Sequence, residues 1–196
     1  MLDRKQPVIF AGENHMITLF EPGQAEPIAA ASVWRCSYSA QGEGFVLCLW
    51  HTPDQSGSTR LAAQGIYSDN MPLAIMVRDR FNQYFAGFDA RGFARIEPQP
   101  ARFQQYGEGM RRHRIACATA DYQIELTWNE VFDAALEIFY NTSGPEPYHV
   151  SAVICNCRSA AISIDGVALH GAIRTPSGAS ISSGFLAFSE TWVAAL

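Results

Sequence analysis

Ser159-Ala160-Ala161-Ile162-Ser163-Ile164-Asp165-Gly166-Val167-Ala168-Leu169-His170-Gly171-Ala172-Ile173 alternates apolar residues with small or polar ones on both sides of one Asp-Gly pair. Asp-Gly suits a two-residue type I′ turn, which needs positive φ at both central positions and matches the twist of the flanking strands. The turn sets the register: Ile164 is opposite Val167 and Ile162 opposite Leu169 on an inward apolar face, with Ser163, Ala168 and His170 outward. A hairpin with one dry face needs a partner layer, so the expectation is a β-rich wall around an apolar interior.

The same pattern extends in both directions. Ser32–Ser39 places Trp34, Cys36 and Tyr38 on one face and Arg35, Ser37 and Ser39 on the other, the period-2 signature of a half-buried strand. Glu43–Thr52 is apolar on both faces through Phe45-Val46-Leu47-Cys48-Leu49-Trp50 and reads as a central strand covered on both sides. Further strands are expected over Arg60–Tyr67, Arg112–Thr119, Tyr122–Asn129, Ala135–Asn141, His149–Cys157, Ala160–Ile173 and Gly184–Val193. Arg91–Gly109, with Pro98 and Pro100, reads as an extended connection.

One segment changes period. Asp69-Asn70-Met71-Pro72 offers a capping side chain followed by a proline tolerated in the first helical turn. Leu73, Met76, Val77, Phe81, Tyr84, Phe85 and Phe88 then recur at helical spacing, with Gly87 as the stop. About ten strands exceed what a flat open sheet tolerates. The fold expected is mainly β, a single-domain antiparallel β-barrel or β-sandwich over 1–196 with one amphipathic helix between its two halves.

Composition narrows the function classes. The 196 residues carry a formal net charge of −5, and the one short basic run, Arg111-Arg112-His113-Arg114, reads as a solvated strand end, so no nucleic-acid role is expected. No stretch approaches the roughly 18 apolar residues of a membrane span, and Met1–Pro7 lacks the apolar core of a signal peptide, so a cytoplasmic protein without membrane contact is expected. Cys155-Asn156-Cys157, with His149 upstream, lacks the paired spacing of a zinc site; structural thiols, no metal and no cofactor are the expectation. Phosphate loops, nucleophile elbows, HExxH and dinucleotide fingerprints are absent from the sequence.

Candidate site residues follow from strand phase. His113 alternates with Ile115 and Cys117, and Glu190 falls in step with Phe188 and Trp192, which buries a carboxylate unless it lies at a barrel mouth or meets Arg35. Glu125 shares a polar face with Thr127 and Asn129 beside Trp128, solvated on an outer surface but a possible acid or base if desolvated. The order of strands, the aromatic helix containing Asp79-Arg80-Phe81-Asn82-Gln83-Tyr84-Phe85, the Asp165-Gly166 hairpin and the final Phe188-Ser189-Glu190-Thr191-Trp192 strand resembles the lipocalin-like (calycin) architecture, including carotenoid-hydratase-type members. That resemblance implies a barrel that binds apolar small molecules, and it assigns no catalytic residue.

Three readings result. The first is a barrel holding an apolar small molecule, with Trp34, Trp50, Trp128, Arg35 and the helix aromatics as its walls. The second is a lyase, hydratase or isomerase using Glu125, Glu190 or His113 as acid and base in the same cavity. The third is a structural or partner-binding domain whose sheet edges pair in a homodimer.

Overall fold

In the computed structural model, which describes residues 7–52, 64–82, 85–141, 148–175 and 181–194, the Asp-Gly hairpin forms in the expected register. Asp165 and Gly166 have φ of 50° and 78°, and Ile164 pairs with Val167. The returning arm pairs over Val167–Ala168 and through the Leu169 N–H, which bonds the Ile162 carbonyl at 2.8 Å; Val167 is exposed while Ile164 is buried. Val167 is thus a correction to the inward face expected for it, whereas Leu169, opposite Ile162 as expected, packs against the inner core.

The strands are β1 (Val8–Phe20), β2 (Pro27–Ser39), β3 (Gly44–His51), β4 (Gln64–Ser68), β5 (Gln99–Pro100), β6 (Arg102–Gly107), β7 (Arg112–Ala118), β8 (Gln123–Asn141), β9 (Tyr148–Ile164), β10 (Val167–Ala168) and β11 (Gly184–Ala194). They form one sheet in the order β5-β4-β3-β2-β1-β11-β9-β8-β7-β6, with β10 on β9. Only Ala101 separates β5 from β6 in the chain, so the two ends of the sheet meet and the protein is a nearly closed single-domain β-barrel. Beyond β5 the seam is bridged by side chains: the rings of Phe45 (β3) and Phe103 (β6) stack at 5.1 Å, and Gln105 (β6) bonds Glu13 (β1).

Period-2 alternation sorts the core into two layers. Inside the barrel, Ile17, Leu19, Val33, Leu47, Leu49, Ile115, Leu126, Trp128 and Ile162 fill the lumen. Each such side chain contributes about 1.5–3 kcal/mol on burial. Outside, the helix lies against β2, β3 and β4, where Trp34, Val46, Cys48, Trp50 and Ile66 meet Leu73, Val77, Phe81, Phe85 and Phe93. The doubly apolar β3 is therefore covered on both faces, as its sequence predicts.

The helix starts as expected: Asn70 accepts from the Leu73 N–H and Pro72 occupies the first turn. It is shorter than its stripe of apolar residues. α1 spans Met71–Met76 and widens into a π-helical turn over Val77–Phe81, after which Phe85 and Phe88 reach the same layer from turns around Gly87 (φ 76°). Trp50 secures those turns by donating Nε1–H to the Ala86 carbonyl at 2.7 Å. Tyr84, and residues 60–63 of the strand expected over Arg60–Tyr67, lie outside the described residues.

Three boundaries also differ from expectation. Arg102–Gly107 is a strand, β6, and not a connection. The two strands expected over Tyr122–Asn129 and Ala135–Asn141 are one, because a bulge between Val131 and Asp133, just after Glu130 (φ 53°), absorbs the irregularity without ending the pairing to β9. His149–Cys157 and Ala160–Ile164 are likewise continuous in β9.

Candidate functional site

A break in the β1–β11 ladder creates the most polar spot in the barrel. Gly12 pairs with Glu190 and Met16 with Phe185, so Glu13-Asn14-His15 lies opposite Leu186 to Ser189 with the register lost between them. Ser189 bulges with φ 52°. The orphaned Ala187 N–H donates to His15 Nδ1 at 3.1 Å, so the imidazole replaces a missing backbone acceptor. Nδ1 is then the unprotonated nitrogen, and Nε2 carries the proton it donates to Glu13 Oε2 at 3.2 Å.

Three further residues complete the cluster. Gln105 Nε2 donates to Glu13 Oε2 at 2.8 Å and to His113 Nε2 at 3.1 Å. Arg35 Nη1 donates to Glu13 Oε1 at 3.1 Å, its guanidinium about half exposed. The His15 and His113 rings meet edge-on at 4.9 Å, and Phe188 and Trp128 pack against both. Trp128 is itself anchored by Nε1–H to the Met16 carbonyl at 3.0 Å.

Electrostatics fixes the charges. Burial raises the proton affinity of Glu13, but the hydrogen bonds from His15 and Gln105 and the positive charge of Arg35 outweigh it and hold the carboxyl at about 2. Complete burial pulls His15 below the ordinary imidazole value against the opposing pull of Glu13. Burial, then the proximity of His15, holds His113 at about 4. At neutral pH the cluster is one carboxylate, one guanidinium and two uncharged imidazoles.

Glu13, His15 and His113 place one ligand atom each within 4.8 Å of one another, the residue types of a two-histidine, one-carboxylate metal centre. The His15 tautomer opposes that use. A cation on Nε2 would displace the proton to Nδ1, where the Ala187 N–H already points. The residues as arranged fit a hydrogen-bonded cluster and not a metal centre.

One acceptor is left over. Gln105 Oε1 is buried and has no partner among the described residues, with both amide hydrogens facing Glu13 and His113. A buried unsatisfied acceptor costs about 1–3 kcal/mol. It lies on β6, two residues from the Phe103 ring that closes the seam onto Phe45.

The residues singled out from sequence are scattered. His113 is buried inside the barrel within the cluster, and Arg35 joins it through Glu13. Trp128 lines the interior. Trp34 and Trp50 face the other way, into the layer between sheet and helix, so they are not walls of the lumen. Glu125 lies on the outer surface, part-exposed and paired with Arg114 at 3.1 Å. Glu190 is buried, but the Ser189 bulge breaks its phase with Phe188: Phe188 packs inside on His15, while Glu190 shares the outer layer with Trp192. Glu125, Glu190 and His113 therefore share no cavity.

Sequence reading missed Glu13, His15 and Gln105. The signal for two of them was local, since Glu13 and His15 alternate in step with the inward Ile17 and Leu19. The basic run divides by the same rule: His113 faces inward, while Arg112 and Arg114 line a groove of about 330 Å3 with Tyr106, Gly107 and Glu108. No known protein family, curated protein or solved structure matches this chain.

Proposed function

We propose that the protein is a binding module for a small, largely apolar molecule bearing a hydroxyl or amine group, received at the side-chain-closed seam between β6 and β1–β3. The observation that carries this reading is the Gln105 Oε1 acceptor, buried without a partner among the described residues on the strand whose Phe103 ring closes the seam onto Phe45. A ligand O–H or N–H satisfies it, and Phe45, Phe103, Phe188 and Trp128 offer apolar contact to the rest of the molecule. Among the described residues, parting this seam breaks the Phe45–Phe103 stack and the Gln105–Glu13 hydrogen bond, and no backbone ladder. Acid–base catalysis is less well supported. The site's own groups hold their protons far from neutrality, whereas Glu190, pushed up to about 7 by burial, is on the other face of the sheet.

The test is a tryptophan-fluorescence titration with medium-chain and long-chain alcohols, amines and carboxylates, repeated in Trp128→Phe to assign the signal. Alcohols or amines are expected to quench or shift Trp128 emission, and Gln105→Leu is expected to weaken them roughly tenfold. No response to any compound, or equal affinity in Gln105→Leu with an unchanged melting temperature, overturns the reading.

A further inference from the structure

The second half of β8 is an unprotected edge. β7 leaves β8 after Arg112↔Asn129, and the Met110 carbonyl takes the last bond, from the Val131 N–H. From Asp133 to Asn141 β8 pairs with β9 on one side, and among the described residues no strand pairs with the other side. Residues 132–141 contain neither lysine nor proline, two of the devices that discourage edge pairing, and their charges are Asp133 and Glu137.

This edge is also where apolar surface collects. Phe132, Leu136, Ile138, Phe139 and Tyr140 are 43%, 66%, 50%, 46% and 67% exposed. At about 200 Å2 for a large side chain, they leave roughly 500 Å2 uncovered per copy. Complete coverage of these side chains in two copies would bury at most about 1,000 Å2, around the lower bound for a specific interface, with the paired backbone adding to it.

We propose that a second copy of this chain covers the edge, its β8 pairing antiparallel with this β8 about a two-fold axis at Leu136 to continue the sheet from one barrel into the next. An isologous strand pair is self-complementary by construction. The acidic residues select the register. Centring on Ala135 sets Asp133 opposite Glu137, and centring on Glu137 sets it opposite itself, both like-charge pairs. Centring on Leu136 sets Asp133 opposite Phe139, Glu137 opposite Ala135, Ala134 opposite Ile138 and Phe132 opposite Tyr140. The bulge between Val131 and Asp133 falls where the pairing with β7 has ended.

Sedimentation of the full chain over a concentration series is expected to give twice the 21.6 kDa monomer mass. Ile138→Lys, at an exposed position, is expected to return the monomer with unchanged circular dichroism and melting temperature. Leu136→Cys tests the register directly. All five native cysteines are buried, and a residue facing its own copy across an antiparallel pair has its Cα about 4.5–5.5 Å from the partner's, within disulfide reach. Oxidation should therefore cross-link Leu136→Cys and leave Tyr38→Cys, an exposed control away from this edge, without a cross-link. A monomer at every concentration, or a dimer that survives Ile138→Lys and fails to cross-link through position 136, overturns the proposal and leaves the edge to another chain.

Discussion

Two carboxylates, Glu13 and Glu190, lie on opposite faces of the sheet where β1 meets β11, and they behave in opposite ways. Glu13 faces inward with Arg35, His15 and Gln105 as donors, and its carboxyl is held at about 2. Glu190 faces outward beneath the helix layer, where Trp192 Nε1 donates to it at 2.6 Å and Asn14 supplies a second bond, and burial pushes it up to about 7. Burial raises both. What separates them is donors against burial: Glu13 accepts from His15 and Gln105, with Arg35 adding a smaller pull, whereas the more deeply buried Glu190 accepts from the neutral Trp192 and Asn14. The inner carboxylate organises its surroundings as an anion, whereas the outer one is most stable as an acid.

The strongest way to break this contrast is to remove the inner anion. Glu13→Ala leaves the His15 Nε2–H and the Gln105 amide without an acceptor in a buried site, while Arg35 returns to water. A loss of about 4 kcal/mol in urea unfolding at pH 7 is expected from the stranded donors. A loss below about 1 kcal/mol would mean that the cluster is not what Glu13 holds together.

The outer carboxylate should respond in the opposite sense. Its folded value of about 7 lies above the ordinary 4.5, so the native state binds the extra proton between those pH values. Stability from the protonated acid is complete below 4.5 and is lost as pH rises through 7. Glu190→Gln keeps an oxygen for Trp192 and has no proton to lose. The variant should be more stable than the parent by on the order of 3 kcal/mol at pH 8, and the difference should vanish near pH 4. An advantage that is the same at both pH values would show that packing, not ionisation, separates the two proteins.

Much of the fold was legible because it depends on period and turn chemistry. Asp165-Gly166 dictated a register that formed, Asn70 and Pro72 marked a helix start that formed, and the doubly apolar β3 announced its two covers. The site was less legible because it arises where the period fails. A single bulge at Ser189 moves Glu190 to the face opposite Phe188, and residue spacing does not reveal such a bulge. The bond from Gln105 to Glu13 joins residues 92 apart across the barrel seam, a distance no local pattern spans. Trp34 and Trp50 were misplaced for a related reason: alternation says that a face is covered, but not whether the lumen or the helix covers it.

The subtlest test of the contrast is the cation itself. Arg35 is about half exposed, so solvent screens its attraction for Glu13 and limits the pair to about 0.5 kcal/mol. Arg35→Met keeps the apolar stem and removes the charge. Because the folded value of Glu13 lies below the unfolded one, stability from its carboxylate is present above about 4.5 and is lost as pH falls through about 2. The small deficit of Arg35→Met should therefore be measurable in urea at pH 6, fall to about half near pH 2, where the carboxylate is half protonated, and disappear only below it. A deficit that persists unchanged in acid would assign Arg35 a packing role over Phe45, whose ring lies 6.0 Å from its guanidinium carbon, and would leave the two neutral donors alone to hold the inner anion.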